Sequence, residues 1–315
     1  MKAFEVIKPG FFTTVQDLGR NNYQMYGVPV SGAMDRRSLR IGNLLVGNEE
    51  NEAGLEITMY GLELKAVSDV VVTITGGDLA PYLDGNRIPM WQPFRVSKEE
   101  VIHFKTLKSG CRAYLTVTGG IDVPIIMGSR STYVRGGFGG LNGRALKKGD
   151  IIEINKTKKD FLRILARKLP EELIPKFHKG IIVRVIMGPQ EEKFTKNGLS
   201  TFLSSEYTIS SRSDRMGYRL KGPRIESTEY NIISDAIVRG AIQVSGDGMP
   251  IILMADTGTA GGYAKIATVI SPDIDILGQS EPGNMVRFLK ISIEDAHNIL
   301  RNYEGRFKKL KEILR

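Results

Sequence analysis

The side chains in this sequence that are able to do chemistry lie in short turns rich in glycine, serine and arginine. Three of these turns read GSRSTYVRGGFGG (Gly128–Gly140), SDRMGYRL (Ser213–Leu220) and ADTGTAGGYAKI (Ala255–Ile266). An arginine fork binds a carboxylate or a phosphate through two hydrogen bonds, and glycine-rich backbone N–H groups beside it form anion-binding nests. The pattern therefore predicts a site for a small anionic substrate. For any single arginine, a structural pair with a buried aspartate is an equally good interpretation.

Several familiar kinds of site are absent from the sequence. It has no GxxxxGK[ST] phosphate loop and no GxSxG elbow, and its glycine-rich segment GGFGGLNG lacks the GxGxxG spacing. The single cysteine, Cys111, cannot form an internal disulfide, and the three histidines are too scattered for a metal site. These observations exclude a conventional nucleotide fold, a disulfide scaffold and a zinc centre.

Composition and charge narrow the class of protein further. The chain has 315 residues, of which 41% are hydrophobic and 25% charged, as in a globular protein. It contains no apolar run of the roughly 18 to 20 residues that a membrane span needs, and no apolar segment of a signal peptide at its start. The net charge of +9 arises entirely from two segments, 156–168 and 301–315. We therefore expect a cytoplasmic protein that contacts neither membrane nor nucleic acid.

The elements that must position these turns are mainly β-strands. Runs rich in Val, Ile and Thr, bounded by Gly, Pro or Asp, recur at residues 70–75, 113–118, 181–187, 241–244, 251–255, 266–270 and 286–291. The 35 glycines supply turns, and long helices do not alternate with the strands, so the sequence predicts an all-β or β-dominated fold. Two helices are also predicted, one capped by Asp35 and one that begins near Ser292 with Asp295 three residues on.

The sequence also indicates domain bounds and an internal repeat. We predict a first domain over 1–155, a basic helical connector over 156–179, a second domain over 180–291 and an amphipathic C-terminal helix over 292–315. TITGGDLAPYLDG (73–85) and TVTGGIDVPIIMG (116–128) match at an offset of 43 residues. Each copy reads as a strand that ends in a Gly-Gly turn, so a structural role for the glycines is favoured over a ligand-binding one.

Taken in order, the motifs resemble one known family, the biotin-dependent carboxyltransferase-like family that includes allophanate hydrolase subunit 2, KipA and the C component of 5-oxoprolinase. The motifs that carry the resemblance are FEVIKPGFFTTVQDLGR, GVPVSGAMDRRSLRIGNLLVGN, LTVTGGIDVPIIMGSRSTY, GFGGLNGRALKKGD, RVIMGPQ, SDRMGYRL, GAIQV and GGYAKIATVISPD. They cover the chain from about residue 4 to about residue 290.

The resemblance implies a fold, a reaction and partners. It implies two cyclophilin-like β-barrel domains and a role as the C component of a 5-oxoprolinase, which acts with a KipI-like B component and an A component. Together these would hydrolyse 5-oxo-L-proline to L-glutamate at the expense of ATP, with ATP and Mg shared with the partner protein. Two other functions remain open: a KipA-like regulator that antagonises a KipI-like kinase inhibitor, and the carboxyltransferase component of a urea-carboxylase or allophanate-type system.

Roles for individual residues follow from residue type and motif position. We expect Arg130, Arg215 and Lys265 to stabilise charge on the substrate or on a transferring phosphoryl group, with Asp214 as the acid/base. The residues expected to bind substrate are Ser129, Ser131, Arg219, Gly261, Gly262 and Tyr263. No resident metal is expected.

Overall fold

The structure is a computed structural model that describes residues 1–157 and 160–314. The chain divides into two compact units. Unit 1 contains residues 1–21, residues 31–177 and the C-terminal residues that begin at Leu310. Unit 2 contains residues 22–30 and 178–309. Two lysines of the predicted connector, Lys158 and Lys159, and the final Arg315 lie outside the described residues. The predicted domain bounds stay a prediction, because compactness does not show which stretches fold independently.

Unit 1 contains two β-sheets that share one hydrophobic core. Its strands are β1 (Lys2–Pro9), β2 (Phe12–Gln16), β3 (Gly54–Thr58), β4 (Leu62–Ala66), β5 (Val70–Asp78), β6 (Pro81–Leu83), β7 (Asn86–Arg87), β8 (Pro93–Val96), β9 (Val101–Phe104), β10 (Ser109–Val117) and β11 (Ile151–Glu153). One sheet has the order β11-β1-β4-β9-β6-β7 and the other β2-β3-β10-β5-β8. Phe4 and Leu64 of the first sheet and Leu55 and Leu115 of the second are buried in the same core.

The chain passes from one sheet of unit 1 to the other at tight corners. Gly10, between β1 and β2, has a φ of +73°, and a Cβ there would lie 2.8 Å from the backbone nitrogen of Leu62. Met59 and Ala80 turn the chain at two other corners with φ of 66° and 50°. At each of these three corners the chain leaves one sheet and enters the other.

The predicted repeat corresponds to two neighbouring strands. β5 and β10 pair antiparallel, with Thr73 opposite Thr116. The prediction of a Gly-Gly turn is wrong for the first copy, because Gly76 lies within β5, where Asp78 still pairs with Ser109 beyond an irregularity in the register. The repeat therefore corresponds to two paired strands, and the structural role favoured for its glycines stays a prediction.

Two helices of unit 1 flank its sheets. Helix α1 (Arg36–Leu45) begins as predicted at Asp35, whose carboxylate accepts a hydrogen bond of 2.9 Å from the Ser38 backbone N–H. It packs closely on β10, since a Cβ on Gly42 would lie 2.9 Å from the Thr116 hydroxyl. In the connector region the chain forms a short helix α2 (Phe161–Leu165) and a 3₁₀ turn (Glu171–Leu173).

Unit 2 contains a closed barrel of seven strands. They are β12 (Gly180–Met187), β13 (Glu206–Ile209), β14 (Gly217–Lys221), β16 (Ala241–Val244), β17 (Pro250–Leu253), β19 (Lys265–Val269) and β20 (Met285–Lys290), in the order β12-β19-β16-β17-β14-β13-β20. The barrel closes where β12 pairs parallel with β20. A separate two-stranded ribbon joins β15 (Asn231–Ala236) to β18 (Ala260–Tyr263).

The helices of unit 2 complete the described elements. They are two 3₁₀ turns (Gln24–Tyr26 and Glu191–Lys193), α3 (Lys196–Ser204), α4 (Ser271–Leu277) and α5 (Ile293–Ile313), whose residues from Leu310 belong to unit 1. The predicted start of α5 is confirmed, because the Ser292 hydroxyl accepts a 3.0 Å hydrogen bond from the Asp295 N–H. The prediction of a mostly β fold with few short helices and a C-terminal helix is also confirmed.

Candidate functional site

In unit 1, a buried aspartate organises the turn that carries Arg130. Asp17, from the QDLGR motif, accepts hydrogen bonds from the Ser129 hydroxyl (2.7 Å), the Arg130 N–H (2.6 Å) and the Gly19 N–H (2.7 Å). The Ser131 hydroxyl also donates to it. Ser129 and Ser131 are buried, so their hydroxyls hold the turn in shape. Both remain predicted substrate-binding residues, but the structure places their hydroxyls on Asp17.

The Arg130 side chain has hydrogen-bonding capacity left over. Its NH1 atom lies 3.8 Å from a carboxylate oxygen of Glu52, which is the length of a loose ion pair. The Arg130 Nε atom and that Glu52 Oε2 atom are both buried, and neither makes a hydrogen bond with any residue the structure describes. A buried polar atom without a partner is costly, so a polar ligand or water that bridged the two would be stabilised. We call Asp17, Glu52 and residues 129–131 the unit 1 cluster.

In unit 2, Lys265 is held by an exposed carboxylate. The Lys265 side chain is buried, and its Nζ donates to Asp235 Oδ2 and, at 3.0 Å, to the Ala236 carbonyl. The hydrogen bond from Lys265 holds the pKa of Asp235 below its usual value, with help from the Ala236 N–H. The Lys265 N–H donates to the side chain of Gln190 at 3.2 Å. The result is a buried ammonium group with a carboxylate between it and the solvent.

The glycines and the tyrosine of the GGY motif lie beside this lysine. They form β18, in which Gly261 is opposite Asp235 and Tyr263 is opposite Asn231. Gln243 donates to the Tyr263 carbonyl at 3.3 Å, and a Cβ on Gly261 would lie 2.7 Å from the Gln243 amide nitrogen. Tyr263 itself is 39% exposed. Gln190, Asp235, Gln243, residues 261–263 and Lys265 are called the unit 2 cluster.

The other predicted residues of unit 2 have structural partners. Arg215 forms a buried bidentate pair with Asp256, at 2.8 Å and 3.0 Å. Asp214 accepts from the N–H groups of Met216 (2.8 Å) and Gly217 (3.2 Å), which makes it the first residue of a turn. Arg219 is exposed on β14, and its N–H donates to the Ser213 hydroxyl.

Within each unit, the structure thus collects some predicted residues and separates others. Ser129, Arg130 and Ser131 lie together, as do Lys265, Gly261, Gly262 and Tyr263. Sequence reasoning assigned no role to Asp17, Glu52, Gln190, Asp235 or Gln243. Three of these could have been identified from the sequence, because Asp17, Gln190 and Gln243 lie in the motifs QDLGR, RVIMGPQ and GAIQV. Nothing in the sequence pointed to Glu52 or Asp235.

Two findings concern metals and membranes. Across residues 1–157 and 160–314, no group of three or more His, Cys, Asp or Glu side chains is arranged to hold a metal ion. None of the helices in these residues is long and apolar enough to cross a membrane.

Comparison with known proteins decides the family. The profile of the carboxyltransferase domain, subdomain A and B, matches residues 26–290. The chain belongs to this carboxyltransferase family. The matched range contains the unit 2 cluster and, of the unit 1 cluster, Glu52 and residues 129–131, whereas Asp17 lies before it.

Two relatives of this carboxyltransferase-family chain are informative because they differ in length. The present chain is 37% identical over 309 residues to the C component of 5-oxoprolinase from Escherichia coli (strain K12), and the match covers 97% of both chains. It is 33% identical over 324 residues to urea amidolyase of Saccharomyces cerevisiae, covering 98% of this chain but 18% of that protein. The crystal structure of Kluyveromyces lactis urea carboxylase is similar in fold, with a TM-score of 0.91 and 31% identity over 98% of this chain and 29% of that one.

Proposed function

We propose that this protein is the C component of a cytoplasmic 5-oxoprolinase, which hydrolyses 5-oxo-L-proline to L-glutamate with ATP and acts only with a KipI-like B component and an A component. The observation that carries the proposal is the match to the Escherichia coli C component over 97% of both chains. The urea amidolyase match has similar identity, but it covers a small part of a much longer protein. The higher identity, over nearly the whole of the relative, favours the first function.

The chemistry of a lactam indicates what the site must do. The amide is stabilised by resonance, and phosphorylation of its oxygen makes that oxygen a leaving group, so cations are needed near the oxygen and near the substrate carboxylate. We assign the contact with the substrate anion to Arg130, because its Nε is buried without a hydrogen bond among the described residues. In unit 2, Lys265 keeps its proposed role in charge stabilisation, which requires Asp235 to move away from it. Asp214 is retained as the proposed acid/base.

Binding of Mg-ATP, as proposed, requires cationic side chains for the triphosphate, and two of the three cations predicted in this chain are already paired. Neutralising a triphosphate requires cations that are not already neutralised, whereas Arg215 and Lys265 are paired with Asp256 and Asp235. Within the described residues, neither cluster presents a phosphate loop. We therefore assign the nucleotide contacts mainly to the partner protein, and this chain's residues to the binding of the lactam.

A reconstituted complex tests the proposal. The chain is co-expressed with its KipI-like and A-component partners from the same genome, and glutamate release from 5-oxoproline is measured with and without ATP. Arg130→Ala should reduce the rate at least 100-fold, while Arg95→Ala, which removes an exposed arginine of the same unit, should leave it unchanged. Glutamate release by the chain alone, or its absence from a stable ATP-supplied complex, would contradict the proposal. A stable complex without turnover would favour the KipA-like regulator.

A carboxyltransferase role is the second candidate, and the observation that favours it is the likeness to urea carboxylase over 98% of this chain. In that case the chain would act with a separate biotin carrier. Transfer of labelled carboxylate from carboxybiotin to urea, in the absence of 5-oxoproline turnover, would select this function over the first.

A further inference from the structure

Unit 1 contains a cavity that neither cluster uses. Its volume is about 520 Å³, within the range of about 300–1,000 Å³ typical of pockets for small organic ligands. It is lined by Gly76, Asp78, Arg87, Ile88, Pro89, Met90, Trp91, Ser109, Ile174, Pro175 and Phe177. No residue assigned above to substrate or to charge stabilisation is among them.

Most of the wall is apolar, and its largest member is held in an unusual conformation. Trp91 is buried, and its φ of +63° is rare for a bulky residue. Two backbone hydrogen bonds hold it, from the Trp91 N–H to Ile74 (2.9 Å) and from the Leu169 N–H to the Trp91 carbonyl (3.0 Å). Strain of this kind persists only where the surroundings impose it, and it is common where a side chain is aimed at a ligand. Met90 and Phe177 extend the apolar surface.

The polar part of the wall is the ion pair of Arg87 with Asp78, which has no net charge and can form further hydrogen bonds. Arg87 NH2 donates to both oxygens of Asp78, at 2.6 Å and 2.7 Å, and NH1 donates weakly to the Pro81 carbonyl at 3.3 Å. Within the described part of the chain, the Arg87 Nε atom and the Ser109 hydroxyl make no hydrogen bond. The wall therefore offers an N–H donor next to carboxylate acceptors, without net charge.

We propose that this cavity binds a small neutral amide with an aromatic or branched aliphatic body. An amide carries a carbonyl acceptor and an N–H donor side by side, so it can accept from Arg87 and donate to Asp78 without breaking their pair. A carboxylate ligand would face the charge of Asp78, and a purely apolar ligand would leave the polar wall unused. The apolar body packs on Trp91, Met90 and Phe177, where burial of its surface supplies most of the affinity. This inference does not depend on the proposed function.

The protein supplies its own probe, since Trp91 is its only tryptophan. Phenylacetamide is titrated into the full chain while Trp91 fluorescence is recorded, and the titration is repeated with phenylacetate and with methyl phenylacetate. We expect a saturable change with phenylacetamide. The charged phenylacetate and the ester, which cannot donate a hydrogen bond, should bind at least 10-fold more weakly. Equal binding of all three, or no saturable change with the amide, would overturn the proposal.

Variants identify the residues responsible. Arg87→Met should weaken phenylacetamide binding at least 10-fold, while Arg95→Met, which removes the arginine of another exposed aspartate pair of unit 1, should have no effect. Phe177→Ala tests the apolar wall separately, in case Arg87→Met does not fold, and should weaken binding at least 3-fold. Unchanged binding in both cavity variants would place the amide elsewhere and refute the proposal.

Discussion

The buried pair of Arg215 and Asp256 gives the sharpest test of the reasoning about unit 2. Each residue is less than 10% exposed, and two hydrogen bonds join them. A backbone hydrogen bond of 2.8 Å from Asp256 to the Arg215 carbonyl also connects the two turns. Asp256→Ala would leave the Arg215 charge buried without this carboxylate. Loss of one partner of such a pair costs about 3–5 kcal/mol in the free energy of unfolding.

A double-mutant comparison separates the pair from its surroundings. Replacing both residues by apolar ones, as Arg215→Met with Asp256→Leu, removes the uncompensated charge and should cost much less than Asp256→Ala alone. The matched control is Glu206→Ala, which breaks the exposed pair with Arg287 in the same unit and should cost about 1 kcal/mol or less. The two singles therefore differ in burial and share the same chemistry.

Amide hydrogen exchange in β14 and β17 is the suitable measurement, because these neighbouring strands flank the two turns. Asp256→Ala should raise exchange there by a factor of about 100 to 1,000, which corresponds to about 3–4 kcal/mol. Trp91 fluorescence reports on unit 1 and serves as an internal reference. An Asp256→Ala variant that exchanges no faster than Glu206→Ala would refute the assignment of Arg215 to a structural pair.

Three further predictions follow from single contacts. Gly188→Ala, directly after β12, should destabilise the protein by about 1–3 kcal/mol, because a Cβ there would lie 2.2 Å from the Lys265 carbonyl oxygen. Gly180→Ala, at the first residue of β12, meets nothing within 4 Å and should be neutral, and thermal unfolding of both variants checks this. The pKa of Asp235 should lie below its usual value of 3.8, so any stability from its pair with Lys265 is present above pH 3.8 and is lost as the pH falls through the lowered pKa. NMR titration of the Asp235 carboxyl group in the protein and in Lys265→Met checks this, and the variant's pKa should return toward 3.8. The Tyr207 hydroxyl is buried without a hydrogen-bond partner in residues 1–157 and 160–314, and burial raises its pKa to about 12. Tyr207→Phe should therefore leave the free energy of unfolding in urea unchanged or raise it by about 1 kcal/mol, and a lower value would show that the hydroxyl has a partner.

The strands and the two capped helices could be predicted from the sequence because their signals are local. Alternating or continuous apolar runs mark β10, β12 and β19, and Asp35 marks the start of α1 through a hydrogen bond three residues away. The corners of unit 1 carry a weaker signal. Met59 and Ala80 adopt positive φ with side chains that rarely do so, and only the packing of the surrounding strands imposes it.

The partners of the charged site residues could not be predicted, because they come from distant parts of the sequence. Lys265 pairs with Asp235, 30 residues away, and Arg130 approaches Glu52 across 78 positions. Asp235 lies on an exposed strand with no motif around it, so its role depends on the register of β15 against β18. A residue type indicates that a charge is present, but only the fold decides which charge compensates it.

The three predicted cations, Arg130, Arg215 and Lys265, differ in how fully a neighbouring carboxylate neutralises their charge. Arg215 is buried in a bidentate pair, and its removal should be felt mainly in stability. Lys265 is buried and paired with Asp235, so its charge becomes available to a ligand only when Asp235 moves. Arg130 alone of the three combines a loose ion pair with a buried Nε that makes no hydrogen bond to the described residues. Because Arg130 is the least compensated of the three cations within the described residues, we expect its substitution to affect activity most and stability least.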